Sequence, residues 1–154
     1  MTPADAINIE AFRRFMVDAE ANPIDDYTYP EAVDETNIDD VLTAFYEATN
    51  DDENGWLQDA VNEIRTSGTK TGLRARETSR HYDCHEVAAF LAGRWVGWTY
   101  WYGGGKHGEP EAIEWMEHAY FVDVTEEQRT VVVRTFISQE TGEAGRPVPM
   151  LEEP

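Results

Sequence analysis

The sequence predicts an α+β domain, with two to three N-terminal helices packed on a C-terminal antiparallel β-meander of three to five strands. Three observations lead there. Apolar residues recur at helical spacing through residues 1–66, between capping residues and stops. A turn-rich stretch, Ser67, Gly68, Thr69, Lys70, Thr71 and Gly72, follows and reads as a linker. Beyond it the chain becomes dense in aromatic and β-branched residues, which suit a pleated surface.

The first helix begins at Thr2 and Pro3, a cap followed by a proline suited to the first helical position, with Asp5 near the positive helix end. Its stripe is Ile7, Ala11, Phe15, Met16 and Ala19, and Asn22 and Pro23 stop it. Residues 24–35, rich in Pro, Asp and Tyr, read as a loop. A second helix opens at Thr36 or Asn37, each followed three residues later by an aspartate, and carries Ile38, Val41, Leu42 and Phe45 inward. The third places Trp56 or Leu57 with Ala60, Val61 and Ile64 on one side and ends before Ser67.

Residues 94–102 (RWVGWTYWY) form a strand. Residues 82–91 fit either a strand turning at Ala92 and Gly93 or a short helix capped by Asp83 and Glu86; the strand is preferred because it gives the aromatic strand a partner. Residues 117–124 and 129–137 alternate around 125–128 and predict a hairpin, and 142–154 an irregular, frayed tail. The expected organisation is one domain over 1–154: an acidic helical part (1–66), a sheet part (73–138) and an irregular tail (139–154). No internal repeat is found.

Charge is the outstanding global property. The chain carries 31 Asp and Glu against 12 Lys and Arg, a formal net charge of −19. Residues 1–66 hold 17 acids against 3 arginines, residues 67–108 hold 3 acids against 6 bases, and residues 109–154 hold 11 acids against 3 arginines. Such a chain repels phosphate backbones, so direct nucleic-acid binding is not expected, nor is binding to anionic membranes; a basic protein is the expected partner. No stretch is long enough to cross a bilayer, residues 1–8 lack the look of a secretory signal, and Cys84 is the only cysteine. A reducing, cytoplasmic setting is the expectation.

The sequence lacks recognisable catalytic machinery. There is no G-x-S-x-G elbow, and Cys84 beside His85 is poorly placed for proton transfer. His81, Cys84 and His85 follow no metal-ligand spacing, so no metal or other cofactor is assigned, and Cys84 reads as a small buried residue. The string Gly103, Gly104, Gly105, Lys106, His107, Gly108 could cradle an anion through its backbone N–H groups, but it lacks P-loop spacing and Glu109 and Glu111 follow it. It reads first as a connecting loop.

Two surfaces remain as candidates. Asp39, Asp40, Glu47, Asp51, Asp52 and Glu53 would line the outer side of the second helix and its exit, a file of negative charge resembling a phosphate backbone. Trp98, Tyr100 and Tyr102 share one face of the aromatic strand, and with Lys106 and His107 they would make a second partner or ligand surface. The functional expectation is a small acidic protein-binding module: an inhibitor that occupies the basic nucleic-acid-binding surface of its partner, of the phage or plasmid anti-defence type. The alternative is an enzyme or ligand-binding domain holding an anionic small molecule at the 103–108 loop. Acidity that serves only solubility would explain the charge without either.

Overall fold

A computed structural model describes residues 1–21 and 23–151. Three helices, α1 (Pro3–Ala21), α2 (Ile38–Ala48) and α3 (Trp56–Ser67), precede the strands β1 (Thr69–Lys70), β2 (Asp83–Leu91), β3 (Arg94–Tyr102) and β4 (Tyr120–Phe121). These strands form one antiparallel sheet in the order β1-β2-β3-β4. The α+β class and the helices-then-meander order are as the residue pattern predicts. The chain divides into two compact units, Met1–Asp123 and Val124–Pro154.

Helix α1 starts with a reciprocal cap. Thr2 Oγ1 accepts from the Asp5 N–H at 3.1 Å, and Asp5 Oδ2 accepts from the Thr2 N–H at 2.9 Å. The helix buries Ala6, Ile7, Ile9, Ala11, Phe12, Phe15 and Ala19, a wider face than the stripe read from sequence, because α2, α3 and the sheet all border it. Asn22, read as its stop, lies outside the described residues. Rings of Phe12, Phe15 and Phe45 meet edge to face with centroids 5.1–5.6 Å apart and join α1 to α2.

Between α2 and α3 the chain makes a left-handed turn. Asn50, Asp51 and Asp52 have φ of 54°, 56° and 58°. An L-residue there crowds its Cβ against the next carbonyl, at a cost of roughly 1–2 kcal/mol, less for Asn and Asp. Asp51 is exposed, so Asp51→Gly should raise stability by about 1 kcal/mol, seen as a melting temperature ~2–4 °C higher by calorimetry.

The strand reading of residues 82–91 holds. Ala92 (φ 50°) and Gly93 (φ 82°) form a two-residue turn that pairs β2 with β3 along their whole length, Asp83 opposite Tyr102 through Leu91 opposite Arg94. Val87, Leu91, Val96 and Trp98 face the helices and complete the core. Residues 67–72 are more than a linker, because Thr69 and Lys70 pair with Ala88 and Val87. Gly68 permits this approach: a Cβ there would lie 2.7 Å from Val87 and 3.0 Å from the Trp98 ring.

The predicted hairpin of 117–124 with 129–137 does not form. Tyr120 and Phe121 pair instead with Gly97 and Val96, which extends the main sheet. In the second unit, β5 (Val131–Arg134) pairs with β6 (Val148–Leu151), so the stretch expected to be an irregular tail contains a strand; residues 152–154 of it lie outside the described residues. Short strands do lie inside both alternating runs, but for β5 a partner 14 residues downstream won over the adjacent one. A bridge between Ile137 and Ala144 and a turn closed by the Ser138 N–H to Glu143 carbonyl bond (2.9 Å) set that register.

Candidate functional site

The helical part carries the most uneven charge of the chain, 17 acids against 3 arginines. Ile38, Val41 and Phe45 anchor α2 in the core, which turns Asp39, Asp40 and Glu47 outward. Asp40 and Glu47 are seven residues apart, two turns or roughly 10 Å along the helix. Asp51 and Glu53 are also exposed. Asp52 is not a free carboxylate: half-buried, it accepts the N–H groups of Leu57 (3.3 Å) and Gln58 (2.9 Å) and caps α3, whose preceding Gly55 has no side chain to do so. Of the six carboxylates read as a partner face, Asp52 is thus the one whose two oxygens each serve the helix terminus.

Little within this half neutralises the charge. Arg13 donates from Nε and a terminal nitrogen to the Val33 carbonyl, at 3.2 and 2.9 Å. Arg65, 6% exposed, donates to the Trp101 carbonyl and lies 4.8 Å from the centre of the Tyr100 ring. Among the described residues of this half, Arg14 reaches Glu10 at 3.4 Å and Glu63 at 3.5 Å, and the N-terminal ammonium of Met1 reaches Glu35 at 3.5 Å. Among the described residues, no cation lies within ion-pair distance of Asp39, Asp40, Glu47, Asp51 or Glu53. The Tyr46 hydroxyl beside them is pushed up by burial and by the charges of Asp52 and Asp51.

The aromatic strand divides between interior and surface. Trp98 is fully buried, meets Trp115 at a tilt with ring centroids 5.3 Å apart and donates from Nε1 to the Arg65 carbonyl at 3.2 Å. No partner reaches it, and its assignment to a contact surface is corrected: pairing with Val87 puts it on the face that the helices cover. Tyr100 is half-buried and Tyr102 exposed, stacked at 5.9 Å, with His85 5.5 and 5.2 Å from their rings. Burial, then the nearby Lys70, pull the His85 imidazole below its ordinary value.

The glycine string is a self-contained turn. Gly103, Gly104 and Gly105 all have positive φ (79°, 87° and 73°). A Cβ on Gly104 would stand 2.4 Å from the Tyr82 ring, so the ring lies directly against the backbone. The N–H groups of Gly108 and Glu109 are occupied by the Gly105 carbonyl (3.1 Å) and the Tyr82 hydroxyl (3.3 Å). Lys106 and His107 project into solvent at its tip. These contacts give the six residues a structural reason that involves no ligand.

Comparison with protein-family models, curated proteins and solved structures finds no match.

A polar site that the sequence reading missed lies on the other face of the sheet. Glu86 points away from the helices, opposite Thr99, and is 2% exposed. Its Oε1 accepts the Tyr120 hydroxyl at 2.8 Å, and its Oε2 is buried with no hydrogen-bond partner. Burial first, then the bond to Glu86, drive the Tyr120 hydroxyl far above its ordinary value. The ring of Tyr120 fits over Gly97, where a Cβ would come within 2.7 Å of it, and the Arg76 guanidinium lies 4.2 Å from the ring centre. A cleft of about 420 Å³ opens here, lined by Arg76, Glu77, Thr99, Glu117, His118 and Tyr120 among others. The available signal was a glutamate amid the apolar run of β2, on the same side as Cys84 and Ala88.

Cys84, two residues before Glu86, donates from Sγ to the Glu77 carbonyl at 3.4 Å. Burial and then the charges of Glu86, Asp83 and Glu77 raise its thiol above the ordinary range. Since the thiolate is the nucleophile, iodoacetamide at neutral pH should alkylate Cys84 several-fold more slowly than the same cysteine in urea-unfolded protein, as followed by mass spectrometry. Among the described residues, no group of three or more His, Cys, Asp and Glu side chains is arranged to hold a metal ion.

Proposed function

We propose that this chain is a small acidic protein-binding module whose helical surface takes the place of a phosphate backbone on a basic, nucleic-acid-binding partner. The observation that carries the reading is the uncompensated carboxylate surface: among the described residues no cation lies within ion-pair distance of Asp39, Asp40, Glu47, Asp51 or Glu53, while Arg13 and Arg65 are turned onto backbone carbonyls. Repulsion among unpaired like charges is lowered when a cationic surface docks. An inhibitor of the phage or plasmid anti-defence type, acting in the cytoplasm, is the biological setting proposed for such a surface.

The β5–β6 ribbon supports a protein as the partner. Val131, Val132, Val133, Phe136, Ile137, Val148 and Met150 are all exposed on it, and every residue from 123 to 150 is exposed. Two strands alone are marginal in water, and a run of exposed apolar side chains marks a contact surface. Its apolar residues would seat against the partner.

The test is capture of basic nucleic-acid-binding proteins by immobilised full-length chain, followed by binding to each captured protein at increasing salt. Affinity should fall steeply between ~50 and 200 mM NaCl, and nucleic acid should compete for the same surface. Binding that is indifferent to salt and to nucleic-acid competitor would overturn the reading. Within a salt-dependent interaction, Val132→Asp with Phe136→Asp should weaken binding without shifting the melting of the helical unit.

A further inference from the structure

We infer that the outer edge of β5 is a self-association site, where β5 of a second copy of this chain pairs antiparallel about Val132 and closes a dimer through a four-stranded sheet. In an antiparallel ribbon, alternate residues turn their N–H and C=O groups away from the partner strand. Just past β5, the Gly145 N–H bonds to the Phe136 carbonyl and the Ser138 N–H to the Glu143 carbonyl, both at 2.9 Å, so Phe136 and Ser138 bond inward. Arg134 pairs with Val148 while Phe136 meets Gly145, which puts the extra residue of this irregularity on the β6 side. Alternation along β5 therefore runs on unbroken: Arg134 and Val132 bond inward, and Val133 and Val131 turn their backbone groups outward. Among the described residues, no strand or other backbone group pairs with those outward positions.

The two edges of the ribbon are unequal. Pro149, opposite Val133, takes an outward position on β6, and Pro147 comes just before that strand; neither has an N–H to offer, so this edge is blunted. β5 contains no proline, and Val131, Val132 and Val133 are exposed. A single open edge suits a two-fold pair, which closes, and not a fibre. The sequence is complementary to itself in that pairing. Val131 meets Val133 of the second copy, Val132 meets its equivalent, Arg134 meets Thr130 and Arg129 meets Thr135, so no like charges are opposed. Residues 128–138 hold no carboxylate, although the whole chain carries 31, so two copies approach here with the least repulsion. Two strands are marginal in water, and four joined by a shared edge pass the number that a stable sheet needs. Self-pairing requires no basic partner and leaves the faces of the joined sheet open to one.

The test is sedimentation equilibrium of the full chain alone, from ~5 to ~200 µM protein. At ~500 mM NaCl the mass should climb with concentration from 17.5 kDa toward twice that value and stop there. The dimer should weaken at ~50 mM NaCl, where two chains of net charge −19 repel most, the reverse of the salt trend expected with a basic partner. Val133→Pro removes one outward N–H and should keep the chain monomeric. Thr130→Arg, at an exposed position, sets an arginine opposite Arg134 of the second copy at two symmetric places and should weaken the dimer about tenfold. Adding Arg134→Glu should restore it, and that rescue decides the matter should Val133→Pro unravel the ribbon. A mass of 17.5 kDa at every concentration and salt, a dimer indifferent to Thr130→Arg, or growth beyond two copies would each overturn the pairing.

Discussion

Replacing Trp98 with alanine should destabilise the unit Met1–Asp123 by about 3–5 kcal/mol, a large part of the stability of a domain this size. The side chain is fully buried, so its removal leaves a cavity among Val87, Trp115 and the end of α3. It also strips the Arg65 carbonyl of the indole donor at 3.2 Å. Gly68 passes so close to the ring, 3.0 Å from an added Cβ, that the backbone has little room to collapse into the space. Urea unfolding followed by far-UV circular dichroism measures the loss. Trp98→Phe, which keeps most of the volume, should cost clearly less; equal losses for the two variants would argue against cavity formation as the cause. A Trp98→Ala protein as stable as the parent would place the indole outside the core.

The second large effect concerns binding. Neutralising Asp39, Asp40 and Glu47 together, as Asp39→Asn, Asp40→Asn and Glu47→Gln, should weaken a basic partner by about ten- to a hundredfold, each exposed charge pair contributing roughly 0.5–1 kcal/mol. The variant should fold as well as the parent or better, because all three side chains are exposed and the net charge moves toward zero. Surface plasmon resonance at two salt concentrations separates the outcomes. The proposed surface predicts a slower association rate and a shallower salt dependence for the variant. Loss of affinity with unchanged salt dependence would place the contact elsewhere. Asp52→Asn serves as a contrast, since Asp52 caps α3 and its replacement should act on stability.

Much of the fold was legible because local and tertiary preferences agree. Thr2 caps α1 as read, with Asp5 completing the cap, Ile38, Val41 and Phe45 bury the predicted stripe of α2, and Ala92 with Gly93 turns β2 into β3. The misreadings share a cause, since alternation identifies a strand but not its partner. Tyr120 and Phe121 went to β3, and Val131–Arg134 paired with residues that had been read as a frayed tail.

The candidate sites divide in the same way. The charge imbalance of residues 1–66 is a matter of composition, and no arrangement of the chain could remove it. Which carboxylates stay free was settled by tertiary contacts: Arg13 and Arg65 reach carbonyls that neighbouring elements bring to them, and Asp52 meets the open end of α3. Trp98 and Glu86 show most clearly what lay beyond the sequence. Residues on opposite faces of a strand are distinguished by period alone, yet whether helices or a polar cleft lie over a face depends on packing between distant segments. Helical period, caps and net charge act within a few residues or over the whole chain, so the sequence carries them openly. Burial of a particular ring or carboxylate arises between segments 30 or more residues apart, as in Trp98 to Arg65 and Tyr120 to Glu86, and only the folded chain decides it.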